Sequence, residues 1–357
     1  MLVRAVADTR ICDIGRWTDT HWAGQGAVCN LAIDRRAHVV VETVPGETVT
    51  VTEFGYQVKR EATPQITIKA PDLGVVETMS PGDREYSGRA GMLKAAVNLM
   101  GINAGLRITA WSDAPPACGV GTSAAISVAM LAALARVSGQ ELTPYQIAEL
   151  AQRLETEELK VECGVQDQHA SAHGGINLMH IVYPKAQVFG VRVSDRVVAE
   201  LNERLMLVYL GPRLSGQMHL RVIERFQTGN ESVRAAIQRL RELPGEFATA
   251  LQLGDFARAA DAINDNWRQS KRLHEGITNE FIEDLHATAL RAGAQAACAN
   301  GAGGGGSTVI LAAPGKEVDV RNAVSDLCAQ ALRPDGTQPG LIPFSLSTNG
   351  VRAWVIA

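Results

Sequence analysis

The residues able to do chemistry fall in four short stretches of a 357-residue chain. The first is Ala114-Pro115-Pro116-Ala117-Cys118-Gly119-Val120-Gly121-Thr122-Ser123-Ala124-Ala125. Its prolines keep the approach extended, its glycines permit close backbone approach, and its small residues open a helix. Amide groups at a helix start are unpaired and carry about half a positive charge, which suits a phosphate. No GK[ST] follows and the run holds no lysine, so this is not a Walker loop. Backbone and hydroxyls would hold the phosphate, with a metal ion offsetting its charge. A tight turn before an alanine-rich core helix is the plainer alternative. The second stretch, LETEELKVECGVQDQ (154–168), carries five acidic residues. Most such runs are solvated helix faces. Asp167 differs because the small, apolar turn Cys163-Gly164-Val165-Gln166 precedes it, where a carboxylate would be partly shielded beside a substrate hydroxyl.

The third stretch interleaves Asp8, Arg10, Asp13, Arg16 and Asp19 with Ile11, Ile14 and Trp17. It suits a polar pocket for hydroxyls, or else exposed charges pairing for under about 1 kcal/mol each. The fourth, Gly301-Ala302-Gly303-Gly304-Gly305-Gly306, satisfies GxGxxG literally. A dinucleotide fingerprint follows a strand and opens a helix, whereas here a helix-like run (280–292) precedes and a strand follows. That order excludes the nicotinamide reading and leaves bare backbone open to close approach, or a plain hairpin. His169 and His173 have zinc spacing, but no HExxH pattern or third ligand accompanies them, so no metal site is assigned there.

The elements that must position these stretches come in unequal blocks. Strands are expected at 11–14, 27–33, 38–44, 48–54, 66–70 and 106–111, with a helix at 87–100 and another from the glycine-rich run to Val137. Pro144 after Thr143 starts a helix running through Glu158, and a further one opens within 164–175. The apolar run 205–210 reads as a buried strand, and 221–291 is strongly helical apart from Pro244 and Gly245. A strand at 308–312, a helix at 318–332 and a last strand or two within 344–356 complete the chain. Such blocks favour an α+β fold with a lobe boundary near 190–205.

Composition narrows the function. Thirty-four basic against 38 acidic residues give a net charge of −4, which argues against a broad nucleic-acid-binding surface. Five Trp, five Tyr and seven Phe are too scattered for a base-stacking platform. The longest apolar stretch, 124–137, is too short for a membrane span, and six dispersed cysteines suit reduced thiols in a cytoplasmic protein.

Together, ADTRICDIGRWTDT (7–20), PPACGVGTSAA (115–125), CGVQDQ (163–168) and NGAGGGG (300–306) resemble the GHMP small-molecule kinases, the superfamily that includes galactokinase and mevalonate kinase. WTDT, the QDQ stretch and 273–294 look most similar to D-glycero-D-manno-heptose 7-phosphate kinases and fucokinases. The resemblance implies a two-lobed α+β fold. Residues 1–195 would form an ATP-binding lobe like domain 2 of ribosomal protein S5, and 196–357 a ferredoxin-like lobe. It places the ATP phosphates over Pro116, Cys118, Gly119, Val120, Gly121, Thr122 and Ser123, with Mg²⁺ on Ser123 and Glu155. Asp167 would be the catalytic aspartate and Arg10 the charge-stabilising arginine. Arg16, Asp19, Gly164, Gly303 and Gly304 would meet the substrate, Arg16 through an anionic group such as a sugar phosphate. The implied activity is phosphoryl transfer from ATP to a sugar or sugar-phosphate hydroxyl, with heptose 7-phosphate first. An unphosphorylated sugar such as L-fucose, or a ligand sensor without turnover, are the alternatives. No nucleic-acid or membrane partner is implied, and a homodimer is left open.

Overall fold

The computed structural model describes all residues except 47, 54–55, 62, 213–217, 332–335 and 357, and only the backbone of 48–53 and 56–61. The ends of the strand expected at 48–54 and of the helix expected at 318–332 therefore lie outside the described residues.

Strand β1 (Leu2–Ile14) is buried along most of its length, Asp8, Arg10 and Asp13 included. Charges in a strand covered on both faces hide the alternation by which it would be recognised, so only its last four residues read as strand. Strand β2 (Gln25–Val44) is continuous where two strands were expected. The polar run between them is a bulge, not a turn. Pairing passes from Asp8↔Arg36 to Thr9↔Ile33, leaving Asp34 and Arg35 as extra residues. Arg36 Nε donates to Asp8 Oδ1 at 2.9 Å and Thr9 Oγ1 to the Arg35 carbonyl at 2.6 Å, which satisfies the groups that looked like turn formers.

A hairpin, β3 (Thr48–Glu53) and β4 (Tyr56–Glu61), leads to β5 (Ile66–Ala70) and β6 (Val75–Met79). Helix α1 (Gly91–Leu99) and β7 (Gly105–Ser112) precede the alanine-rich α2 (Thr122–Val137), whose small side chains are buried almost all round. Helix α3 (Pro144–Arg153) starts at a Thr143–Gln146 capping box. It loosens into a π-helical turn at Leu154–Glu158, rather than continuing as α-helix, and α4 (Gln166–His173) follows. Strands β8 (Ile176–Val182) and β9 (Lys185–Gly190) complete this half. The first sheet runs β6-β5-β7-β2-β1, with β8 and β9 continuing from the near half of β2, and only the β5–β7 pair is parallel.

Helix α5 (Asp195–Arg204) leads into β10 (Leu205–Gly211), then α6 (Met218–Gln227), α7 (Glu231–Leu253), α8 (Phe256–Leu273) and α9 (Glu280–Arg291). Strands β11 (Ala294–Ala299) and β12 (Gly306–Ala312) form a hairpin whose turn is the second glycine cluster, and α10 (Glu317–Gln330) and β13 (Gly340–Ile342) follow. The second sheet is antiparallel in the order β11-β12-β10-β13. The core is shared between halves. Ile11, Ile14, Leu31 and Ile33 of the first sheet pack in one cluster with β10, β12, α7 and α8.

The last strand, β14 (Arg352–Val355), does not stay with the second sheet. It pairs antiparallel with β1, from Val3↔Val355 to Val6↔Arg352. Ahead of it, Ser347 N donates to the Ala32 carbonyl at 2.9 Å. The first sheet thus takes its edge from far beyond the first half of the chain.

Candidate active site

The four chemical stretches meet around a cavity of about 540 Å³ between the two halves. One rim is the start of α2. Ala117, Gly119 and Gly121 all have positive φ (56°, 78° and 75°), which turns the loop so that α2 begins with no side-chain cap. The first intrahelical bond is Ala125 N to the Gly121 carbonyl, so the amides of residues 122–124 have no partner within the helix. The loop hangs on β1. Arg10 N donates to the Val120 carbonyl at 3.0 Å and Arg10 Nη1 to the Gly119 carbonyl at 2.6 Å. Cys118 and Val120, expected at the cofactor, turn their side chains into the core, so only their backbone faces outward. Pro116 and Ser123 are exposed on the rim, and Ser123 Oγ lies 3.5 Å from Met92 Sδ.

Facing that helix start is Asp167, in the first turn of α4, where unpaired amides favour a carboxylate. Arg10 holds it by a two-pronged contact, Nε to Oδ1 at 2.9 Å and Nη2 to Oδ2 at 3.1 Å. Burial works against the Arg10 charge, but Asp13 (3.0 Å) and Asp167 outweigh it and raise its pKa further. A Cβ on Gly121 would sit 3.4 Å from Asp167 Cγ and 3.5 Å from Arg10 Nε. The carboxylate therefore lies against the rim of the amide cradle.

Two further carboxylates flank it. Asp19 is buried, and burial, with the like charge of Asp167, pushes its pKa up to about 6. It accepts from Gln166 N at 3.2 Å. A Cβ on Gly164 would fall 1.9 Å from Asp19 Oδ2, so only glycine fits there. Glu155 projects from the π-helical turn and accepts from Gln168 Nε2 at 2.9 Å. Burial first, and then Asp167, pushes it up to about 7.

The β11–β12 hairpin closes the site, but with different residues from those expected. Gly301 and Ala302 line the cavity. Gly303 and Gly304 pack backward, with a Gly303 Cβ placed only 2.6 Å from the Ile277 carbonyl, which in turn accepts from Gly304 N at 2.7 Å. Arg16 is 1% exposed, and its Nη1 donates to the Gly301 carbonyl at 3.0 Å while Nη2 lies on Cys298 Sγ. Its guanidinium is thus engaged beneath the hairpin rather than extended to an anionic ligand. Asp13 Oδ2 accepts from Gly301 N at 2.7 Å, and burial pushes the Asp13 carboxyl up.

Some residues at the site escaped the sequence reading. Asn266 receives Gly15 N at 2.9 Å and donates to the Asp13 carbonyl at 3.1 Å; Asn300 Oδ1 receives Cys12 N at 3.0 Å. These contacts fasten the β1–β2 loop to the second half. Trp17, Trp22, His219, Leu220 and Ile223, from the β1–β2 loop and α6, complete the lining of the cavity. Trp17 carried a signal, an indole inside a polar cluster; His219 and Ile223 carried none. His169 and His173 lie on α4 itself, one turn apart against Tyr145, and burial, then His173, pushes His169 down to about 4. Among the described residues no three His, Cys, Asp or Glu side chains gather to hold a metal, and no helix is long and apolar enough to cross a membrane.

Residues 90–175 match the GHMP kinases N terminal domain and residues 247–330 the GHMP kinases C terminal domain. The D-glycero-alpha-D-manno-heptose 7-phosphate kinase of Campylobacter jejuni is 27% identical over 247 residues, covering 69% of this chain and 70% of that protein. The bifunctional fucokinase/GDP-fucose pyrophosphorylase of Arabidopsis thaliana is 27% identical over 319 residues, 85% of this chain, which spans 29% of the length of that relative. Among solved structures, a D-glycero-D-manno-heptose 1-phosphate kinase from Bacteriodes thetaiotaomicron superposes with a TM-score of 0.75 at 22% identity, over 99% of both chains. The Lactococcus lactis galactokinase complexed with galactose gives 0.75 at 17% identity, over 99% of this chain and 95% of that one. These likenesses establish the fold, α+β with the GHMP lobes in order. With both domains matched in sequence and the fold shared end to end, the chain carries the N-terminal and C-terminal domains of the GHMP kinases in their order.

Proposed function

We propose that the chain is an ATP- and Mg²⁺-dependent sugar kinase that moves the γ-phosphoryl group to a sugar hydroxyl in one in-line step. The observation that carries this reading is Asp167 held by Arg10 against the uncapped start of α2. In this reading residues 1–195 carry the nucleotide, and residues 196–357 complete the cavity through His219, Leu220, Ile223, Gly301 and Ala302. The free amides at 122–124 hold phosphate oxygens, and Arg10 neutralises charge on the group in flight. Asp167 orients the acceptor hydroxyl and accepts its proton as the new P–O bond forms and the bond to the ADP oxygen breaks. Asp19, behind Gly164, holds a neighbouring hydroxyl.

Mg²⁺ would be held by Ser123 and Glu155. The fit rests on Glu155, a half-buried carboxylate at the cavity whose hydrogen-bonding partner, Gln168, is neutral, so a dication would offset the cost of its charge. The ion supplies neutralisation of the triphosphate. Asp167→Asn is expected to retain ATP binding by calorimetry and to lose at least about a hundredfold in turnover. Turnover like the wild type's would remove Asp167 from the mechanism.

Similarity to the Campylobacter enzyme makes D-glycero-D-manno-heptose 7-phosphate the first acceptor. One observation favours the second, an unphosphorylated sugar such as L-fucose. The cavity holds Asp19, Glu155, Glu162 and Asp167, while Arg10 and Arg16, its arginines among the described residues, are both engaged. A panel of free and phosphorylated sugars, with NMR mapping of the phosphate, separates the two.

A further inference from the structure

The cavity has two chemically different walls. On one side stand Asp167, Asp19, Glu155 and Gln168, a set of hydrogen-bonding groups. On the other, Trp17, Trp22 and His219 are joined by Leu220 and Ile223 of α6. The rings form a stepped shelf, each plane tilted 42–62° against the next. Trp17 lies 4.9 Å from His219 and 6.5 Å from Trp22 between centroids, and Trp22 lies 5.1 Å from Phe226. Leu220 is 64% exposed although it borders a cavity, so the shelf continues as uncovered apolar surface.

Trp17 is held there at a cost. Its φ is 73°, a conformation that bulky side chains rarely adopt, and its indole Nε1 is buried with no partner. Strain and an unsatisfied donor on one residue, both at the lip of a binding cavity, mark a side chain placed for a ligand. A sugar ring has the matching character: hydroxyls around its edge and a face of C–H groups. Aromatic faces take up such apolar surface.

We propose that Trp22, backed by the buried Trp17, is a specificity-determining residue of the acceptor site: the C–H face of a cyclic sugar lies on the Trp22 ring while its hydroxyl edge meets Asp19 and Asp167. This inference rests on the sugar-kinase reading above and adds the ring-shaped acceptor and the face it presents. Acyclic alcohols lack that face and would be held by the polar wall alone.

The test compares Trp22→Leu and Trp22→Phe with the wild type, because Trp22 is only half-buried while a Trp17 variant would disturb a strained, buried position. On whichever sugar of the panel the wild type phosphorylates, Trp22→Leu is expected to raise the sugar KM about tenfold. Trp22→Phe should restore it to within about threefold, with the ATP KM unmoved in both. An unchanged sugar KM in Trp22→Leu overturns the proposal, as does a loss confined to kcat or shared by the ATP KM. If the wild type phosphorylates no sugar, it is the kinase reading that fails, and titration of tryptophan fluorescence with L-fucose and free heptose then tests the shelf by itself. A saturable change in the wild type that Trp22→Leu abolishes supports the shelf; no change, or one that persists in the variant, overturns it.

Discussion

The two glycine-rich segments have similar compositions and opposite uses for glycine. At 117–121, positive φ values turn the backbone so that the amides opening α2 face outward, and space beyond the glycines is left open: a Gly119 Cβ would meet nothing nearer than 3.5 Å. At 303–306, the missing Cβ lets the hairpin pack directly on other backbone, with Gly303 on the Ile277 carbonyl and Gly306 on the Cys118 carbonyl, 2.7 Å from where its Cβ would be. The second segment is therefore the buttress of the first. Glycine content alone reports neither role; what faces the α-carbon decides.

Substitutions should separate the two. Gly121→Ala has room for its methyl, 3.4 Å from Asp167 and 3.5 Å from Arg10, but at φ 75° the loop must relax, and a shift of the cradle against that pair is expected to lower kcat/KM by about tenfold or more. The left-handed backbone should also cost about 1–3 kcal/mol of stability; that fall with normal turnover in the folded fraction would reverse the assignment. Gly303→Ala is expected to spare the cradle, costing about 1–3 kcal/mol of stability in chemical denaturation while the ATP KM stays within about twofold. An ATP KM raised without loss of stability would break the contrast.

The smallest effect concerns the carboxylate beside the cradle. Because burial raises the Glu155 pKa to about 7, the folded state keeps its proton at pH values where the unfolded chain has released it. The stabilisation from that proton is lost as pH rises through 7. Glu155→Gln lacks this term, so its melting temperature relative to wild type should climb by a few degrees between pH 5 and pH 8, and Mg²⁺ should narrow the gap at pH 8. A gap that is flat with pH would show that Glu155 ionises freely.

The elements that carry the site were largely legible. Asp167 stood out because a small, apolar turn preceded it, and the helix opening at Thr122 followed from two glycines and a run of alanines. What escaped has physical causes. Strand β1 hid because Asp8, Arg10 and Asp13 are buried and paired, which local patterning scores as surface. The bulge at Asp34–Arg35 looked like a break between strands because two charged residues stand outside the pairing register there. Gly303 and Gly304 were placed at the substrate because a glycine cluster does not reveal which of its members faces the cavity. Arg16 looked like an anion receptor, yet its partners, Gly301 and Cys298, lie some 280 residues away and exert no local signal. Separations of 200 residues or more from their contacts likewise hid His219 and Asn266.

The pairing of β14 with β1 bears on how the molecule is made. A ribosome delivers residues from the first to the last, so the strand bearing Arg10 emerges some 340 residues before the one that covers its flank. Until then β1 presents an open hydrogen-bonding edge, the kind of surface on which nascent chains stick to one another. The half that holds the phosphate cradle cannot finish folding alone, and its completion waits on the arrival of Arg352–Val355.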